Sequence, residues 1–545
     1  MIGRSRIDLQ NVPARSRAVE SKPFDVLMLN GPATWGPMNQ ATVVVDYPDF
    51  YDKFGGFMAS YFTPLAAKLF FDGGGKRLVF TRICHIADHT ASSTPASAVK
   101  ATVDLSTAVG GTYSAQVTLT VTAKYYGTRG NSFTIKIQDA SNGEAARFDL
   151  LIYEGVELLE WHRNLSMLNT DARYVETVIN TSDEASRFIT VEDAELGGAG
   201  GLAADERPEN TTGTLLTTGD DGLTSLDDND YIGANNYNTG LYAFNLEEQG
   251  DILITPDDTT SAYQNAATTY MDTQKKGKGI FVCEAPASSD KAGIVTHAQA
   301  LTASEYRTAC YWPRVYISNP NKTIYGQATR ILIPPSPLIA GRYVRNSNLL
   351  EEKYFGQPGN EVWGLLEGAV ALETIVVREP AVRDWVTDYG VNPIMDGIRG
   401  TDGNYGVWMD DVLLGQTSLN FVSVGEQRGM AYLRTIFEAY LQRHRTQNNT
   451  PIRRRTVKEA FEGELLKWTG RNAFASTNAA EAFYVHTDPD GVGLNNPAVQ
   501  DEQRFRILVG VATARPGRFI ELMFTRDNRA VESWIQQQLT ATGAA

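Results

Sequence analysis

Cys84, His85, Asp88 and His89 bring four side chains of metal-ligating type into six consecutive positions. A zinc ion takes four such donors, or three and a water, each oriented by a further hydrogen-bond partner. No second cluster of this kind stands elsewhere, and a cysteine that ends a strand is commonly buried as a small apolar residue. The favoured reading is therefore a buried Cys84 followed by a loop that opens with two polar histidines. Asp488 and Asp490, with Gly491 behind them, have the carboxylates of a calcium loop without the rest of an EF-hand, and read as a surface turn. Glycines 73 to 75 before Lys76 lack the Walker spacing and read as a helix stop. His85, His89, His162, His297, His444 and His486 sit in no nucleophile or base motif, and no Gly-x-Ser-x-Gly elbow is present. Asp220 with Asp221 and Asp227 with Asp228 lie in glycine-rich turns, where aspartate is favoured for backbone reasons. The chemistry adds up to no catalytic residue, no metal and no cofactor.

One charged stretch stands out. Across Arg443–Arg455, "RHRTQNNTPIRRR", the residues Arg443, His444 and Arg445 complement the C-terminal end of a helix dipole. Arg453 to Arg455 do the opposite in the first turn of the next helix, and so ask for an acidic partner inside or outside the chain.

The elements that position these residues belong to a chain of 545 residues, long enough for two to four domains. It is 42% hydrophobic and 21% charged, which is the composition of an ordinary soluble globular protein. A net charge of −15 argues against binding nucleic acid. The three cysteines, Cys84, Cys283 and Cys310, are far apart and fit a reducing cytoplasm. No apolar run approaches the ~18 residues of a membrane span, and the first residues lack a secretory h-region.

Hydrophobic periodicity divides the chain. Residues 1–22 read as a polar, arginine-rich arm. Residues 23–84 alternate strand and helix, with Thr63 and Pro64 capping and starting a helix, and the α/β alternation resumes over 234–389. Between them, 85–233 shifts to Thr, Ser, Ala and Gly with period-two runs, which predicts an inserted, mainly β domain. Residues 390–518 form a C-terminal α+β domain, and 519–545 a closing strand and arm. Its first helix, about Gln427–Arg445, places Met430, Leu433, Ile436, Phe437, Tyr440 and Leu441 on one face. The second begins at Thr450 and Pro451, carries Val457, Phe461, Leu465 and Trp468, and stops at Gly470. The fold class expected is thus multidomain α/β and α+β: an α/β core interrupted by a β insertion and followed by an α+β domain with extended terminal arms.

The order of motifs resembles the sheath proteins of contractile phage tails and related injection machines and bacteriocins. The resemblance rests on "FDVLMLNGPATWGPMNQATVVVDYPDFYDKFGG", "FFDGGGKRLVFTRI", "YYGTRGNSFTIKI", "NLSMLNTDARYVETVIN", "GDDGLTSLDDNDYIG", "RILIPPSPLIAGRYVR" and "RILVGVATARPGRFIELMF", in collinear order over nearly the whole chain. Two departures are visible. Pro337 and Leu338 replace the family's usual Gly-His, and the first C-terminal helix keeps Arg428 but not the arginine pair that usually leads it.

The resemblance implies a structural subunit that polymerises helically around an inner tail tube. Contraction from a metastable extended state would drive that tube through a host envelope for genome delivery. It also implies that the terminal arms lend strands to neighbouring subunits, by which unpaired strand edges are covered. The matching residues are Ile7, Leu9 and Val12 at the N-terminus and Phe519, Ile520, Leu522 and Phe524 at the C-terminus. Arg428, Arg434 and Arg443 are the candidates to face the tube. The implied partners are other copies of the chain, the inner tube protein, and baseplate and tail terminator proteins. The implied location is the virion tail, assembled in a bacterial cytoplasm, with no nucleic acid bound and no membrane inserted. The alternatives are a baseplate-type component of such a machine and, in a different class, a cytoplasmic α/β carbohydrate-active enzyme.

Overall fold

The computed structural model describes residues 19–107, 116–194, 206–302, 307–374, 385–400, 403–413 and 423–515. Its largest sheet has eight strands in the order Gly406–Val407, Val391–Met395, Thr308–Trp312, Ile280–Glu284, Ile252–Ile254, Leu27–Gly31, Leu78–Arg82 and Thr42–Val44. The six inner strands are parallel, and the strand at each end is antiparallel to its neighbour. Runs such as "LMLNG" and "IFVCE" are buried at every position, as parallel strands covered on both faces must be. Leu27, Leu29, Phe80 and Ile254 pack on one face against the helices Tyr47–Phe54, Thr63–Asp72 and Ser336–Leu349. Met28, Val79, Phe281, Cys283 and Cys310 pack on the other against Ser261–Thr273 and Lys291–Ala300.

Helix ends differ from the sequence reading in one informative way. Thr63 is the first helical residue rather than the cap, and the amides of Phe62 and Thr63 are satisfied by Asp257, whose carboxylate also accepts from the Thr63 hydroxyl. A cap brought in by tertiary structure leaves no local signature. Gly73 does close this helix, its amide bonded to the Leu69 carbonyl. It also lies against Gly341 of Ser336–Leu349, where a Cβ on either glycine would come within about 3 Å of the other's backbone. The two helices meet through bare backbone.

Strands from residues 102–215 form two further antiparallel sheets, ordered Thr214–Leu215, Phe133–Asp139, Arg147–Glu154, Glu157–Ser166 and Thr102–Ser106, Val117–Ala123, Ile189–Asp193. Their apolar faces share one core, with Leu119, Val121 and Val191 from one sheet and Ile135, Leu150 and Leu165 from the other. Trp35, from the loop after the first core strand, is buried in that same core. A three-stranded sheet of Arg330–Ile333, Val315–Ser318 and Ala369–Leu372 packs Val315, Ile317, Ile333 and Leu372 into the core cluster of the large sheet.

The C-terminal part is built on Val424–Gln442 and Pro451–Thr469, which pack Phe437 flat on Phe461 with ring centroids 4.0 Å apart. Thr450 caps the second helix by accepting from the Arg453 amide, and Gly470 ends it. The boundary expected at 390 falls inside the large sheet. Val391–Met395 pairs with Thr308–Trp312, and the buried Asn392 bonds the Cys310 and Asp411 carbonyls and the Asp411 amide. The apolar run at 391–395 has its partner some eighty positions back in the chain, so no local pattern assigns it to the core sheet.

The core joins Ser336–Leu349 through Glu284, a buried carboxylate that accepts from the Ser336 hydroxyl at 3.0 Å. Burial pushes its pKa from 4.5 up to about 8, against the lesser pull of Ser336 and Arg314. The folded state therefore holds a proton that the unfolded chain releases between those values. Stability from this group is full below the ordinary carboxylate range and is lost as pH rises towards 8. Urea denaturation between pH 5 and 8 is expected to show a falling midpoint, and Glu284→Gln, which stays neutral, a flatter profile.

Candidate functional site

The four residues of ligating type do not converge on a metal. Burial pushes the Cys84 thiol up to about 12, while Asp88 turns to the amide and hydroxyl of Thr90. His85 Nδ1 and His89 Nε2 instead meet one buried carboxylate, Asp230, at 3.0 and 2.8 Å, and His89 Nδ1 meets the Thr239 hydroxyl. Burial alone would raise the Asp230 pKa. The His89 contact, the Asp227 and Ile86 amides and the His85 contact outweigh it, and the pKa falls. Among the described residues no group of three or more His, Cys, Asp or Glu side chains could hold a metal ion. The histidines fasten the place where the chain leaves the core to the place where it returns. Asp488 likewise closes its own turn, accepting from the amides of Gly493 and Asn495.

The candidate assembly surface is the C-terminal helix pair with the segment leading in from the N-terminus. Residues 19–25, the inner end of the expected arm 1–22 and the first residues of the core after it, lie on Val424–Gln442. Val19 is buried in its apolar cluster, and Phe24 meets Tyr354 and Tyr432 edge-on at 4.7 and 5.3 Å. Glu20 pairs with Arg443, and Asp25 with Arg428. The other arm residues proposed to exchange strands, Ile7, Leu9, Val12, Phe519, Ile520, Leu522 and Phe524, lie outside the described residues.

The three arginines expected to face a tube occupy different surroundings. Arg428 is 2% exposed, ion-paired with Asp25, bonded to the Ser347 hydroxyl, and stacked 4.8 Å over Tyr343. It joins N-terminal segment, core and C-terminal helix from within and has no surface to offer another chain. Arg434 is exposed and reaches the Gly277 carbonyl at 3.3 Å, and Arg443 is exposed beside Glu20. Of the neighbouring basic run, Arg454 is buried, but neutral acceptors take its charge: the Pro489 carbonyl, and the carbonyl and side chain of Asn449. The partners of Arg454 are therefore not the acidic side chain its position in the first turn suggested, and backbone carbonyls carry no sequence signal.

Near the C-terminal end of the described chain, Phe483–His486 and Leu508–Val511 pair antiparallel as an isolated two-stranded sheet. Among the described residues neither strand has a second strand neighbour, and Tyr484 and Leu508 are exposed. Two strands alone are marginal in water, and unpaired edges are templates for a further strand. The sheet is held by its other face, where Val485, Val509 and Val511 pack on the helix pair.

Removing one partner of a buried ion pair strands the other charge and costs about 3–5 kcal/mol. Arg428→Met is expected to lower chain stability by that order in urea denaturation. Arg443→Ala, at the surface, is expected to leave the midpoint where it is.

No protein-family model matches the chain, and no curated protein sequence matches it. Solved structures do. The sheath tail protein of Listeria innocua superposes with a TM-score of 0.58 at 15% identity, covering 87% of this chain and 90% of that one. The contracted helical sheath of the anti-feeding prophage gives 0.55 at 15%, covering 97% and 100%. The contracted sheath of an extracellular contractile injection system, PVC, gives 0.54 at 13%, covering 97% and 99%. Across matches that cover 87 to 97% of it, this chain has the fold of sheath tail proteins and contractile injection system sheaths.

Proposed function

We propose that the chain is a structural subunit of a contractile sheath, which polymerises helically around an inner tube and shortens to drive that tube through an envelope. The observation that carries this is the end-to-end match to a helical sheath, 97% of this chain against 100% of that one. The edges of the two-stranded sheet, unpaired among the described residues, support assembly by strand addition, since an added strand satisfies backbone groups that otherwise face water. Contacts between unlike surfaces that do not close produce open helical filaments. On this reading the energy of contraction resides in the contacts between subunits, and no nucleotide is consumed. Partners in the same assembly would be the tube, baseplate and terminator proteins, with the finished sheath in a tail made inside a bacterial cell.

A second reading has its own support. A chain in the anti-feeding prophage baseplate matches with a TM-score of 0.52 over 97% of this chain. A baseplate component would form particles of fixed size.

Electron microscopy of the purified protein over a range of concentrations separates the two. Hollow cylinders of one diameter that lengthen with concentration are expected, whereas discrete particles that never elongate would favour the baseplate. Deletion of residues 1–15 should leave a folded chain that no longer forms cylinders, and long tubes from that truncation would remove the N-terminal arm from the assembly. Arg434→Glu with Arg443→Glu should weaken co-sedimentation with the inner tube while tube-free cylinders persist.

A further inference from the structure

Glu157–Ser166 is the outermost strand of its four-stranded sheet and presents Trp161 and Arg163 on one exposed side. A depression of about 490 Å³ opens there, lined by Asn142, Arg147, Trp161, Arg163, Asn164 and Arg173, with Glu184 at its rim. Trp161 is 41% exposed, and the Arg163 guanidinium carbon sits over it, 3.8 Å from the ring centroid.

An exposed tryptophan beneath an arginine is by itself an ordinary surface contact. What distinguishes this one is the structure behind it. Asp149, fully buried, accepts from Trp161 Nε1 at 3.0 Å, from the Asn164 amide at 2.8 Å and from the Ser141 amide and hydroxyl. A single interior carboxylate thus fixes the indole, the strand beside it and the loop opposite. Asn142 and Asn164 are joined by a further bond, from the Asn142 amide to Asn164 Oδ1. Arg147 is held by Glu144 and Asp171, and Arg173 by Glu184 and the Arg163 carbonyl. Those two arginines are already occupied in blunting the strand edge. Arg163 is not: among the described residues its guanidinium has no ion-pair partner.

The depression therefore combines a rigidly held, half-exposed indole, the Arg163 guanidinium over it with no ion-pair partner among the described residues, and the Asn164 side-chain amide, that of Asn142 being bonded to Glu144. Indole faces take the apolar faces of sugar rings, amides take hydroxyls, and a guanidinium takes an anion as a fork. One uncommitted positive group on a chain of net charge −15 suits a ligand with one or two negative charges and disfavours a long polyanion. We propose that this depression binds an acidic saccharide, with the sugar ring against Trp161 and its carboxylate on Arg163. The reading is independent of whether the chain assembles as a sheath.

The test is saturation-transfer and titration NMR on the full chain, using a galacturonic acid disaccharide, the neutral galactose disaccharide and a glutamate dipeptide as probes. The acidic disaccharide is expected to bind, the neutral one more weakly and the dipeptide not at all. Trp161→Ala and Arg163→Ala are each expected to weaken binding about tenfold or more, the loss of one charged hydrogen-bonding contact. Arg163 is exposed, so its variant reports even if Trp161→Ala perturbs the sheet. Absence of binding by the acidic disaccharide, equal binding by the dipeptide or the neutral sugar, or unchanged affinity in Arg163→Ala would overturn the proposal.

Discussion

The Arg82 guanidinium sits at the point where the core sheet is interrupted, and the architecture depends on it. It is fully buried at the end of Leu78–Arg82, where the chain leaves the core. Its Nε donates to the Ala33 carbonyl, Nη1 to the carbonyls of Gly36 and Tyr126, and Nη2 pairs with Asp221. The core loop, a turn within the inserted strands and the return to the core are thereby tied to one side chain. Burial pulls its pKa down to about 10, opposed by Asp221, so it is still charged at neutral pH. A buried charge is tolerated only when its donors are met, and a change at 33, 126 or 221 would be felt at all three.

That joint answers a topological difficulty. Leu27–Gly31 pairs in parallel with Leu78–Arg82 on one side and with Ile252–Ile254 on the other, so its second neighbour arrives only after all the strands of 102–215. Closing so long a loop costs little more entropy than closing a shorter one, provided the exit and the return are held together. Arg82 with Asp221 does this at one level. His85 and His89 on Asp230 do it at a second, with Asp227 capping the short helix that contains Asp230. What in sequence has only the residue types of a metal cluster is half of a fastening whose other half lies some 140 positions further on.

The same distinction decides how much of the fold was legible. Pro451–Thr469 was readable because its signals are local: Thr450 before the first turn, Pro451 within it, the spacing of Val457, Phe461, Leu465 and Trp468, and Gly470 after it. The buried cysteines and the period-two runs between 102 and 215 were readable for the same reason. Asp257 as the cap of Thr63–Asp72, Asn392 as the lock of Val391–Met395 and Asp25 as the partner of Arg428 were not, since each pairs residues that only folding brings together. Arg428 shows the cost most plainly. On a helix whose apolar stripe was evident it looked like the polar side, yet a carboxylate 403 positions away draws it inside. At the candidate surface, how Arg434 and Arg443 are disposed could not be anticipated.

Buried fastenings and bare strand edges have different consequences when a chain is placed in a lattice. Arg82, Asp230 and Arg428 hold their neighbours through desolvated, charge-assisted bonds that are costly to break singly. Among the described residues, the sheet of Phe483–His486 and Leu508–Val511 has only a few ladder bonds and one packed face. A strand added at its edge would gain hydrogen bonds worth about 0.5–1.5 kcal/mol each without disturbing any buried charge. A chain so built would rearrange first at its edges, where bonds to a neighbour exchange with water, and last at its joints. On the proposed reading, that ordering would let subunits change their neighbours' positions while each keeps its own fold.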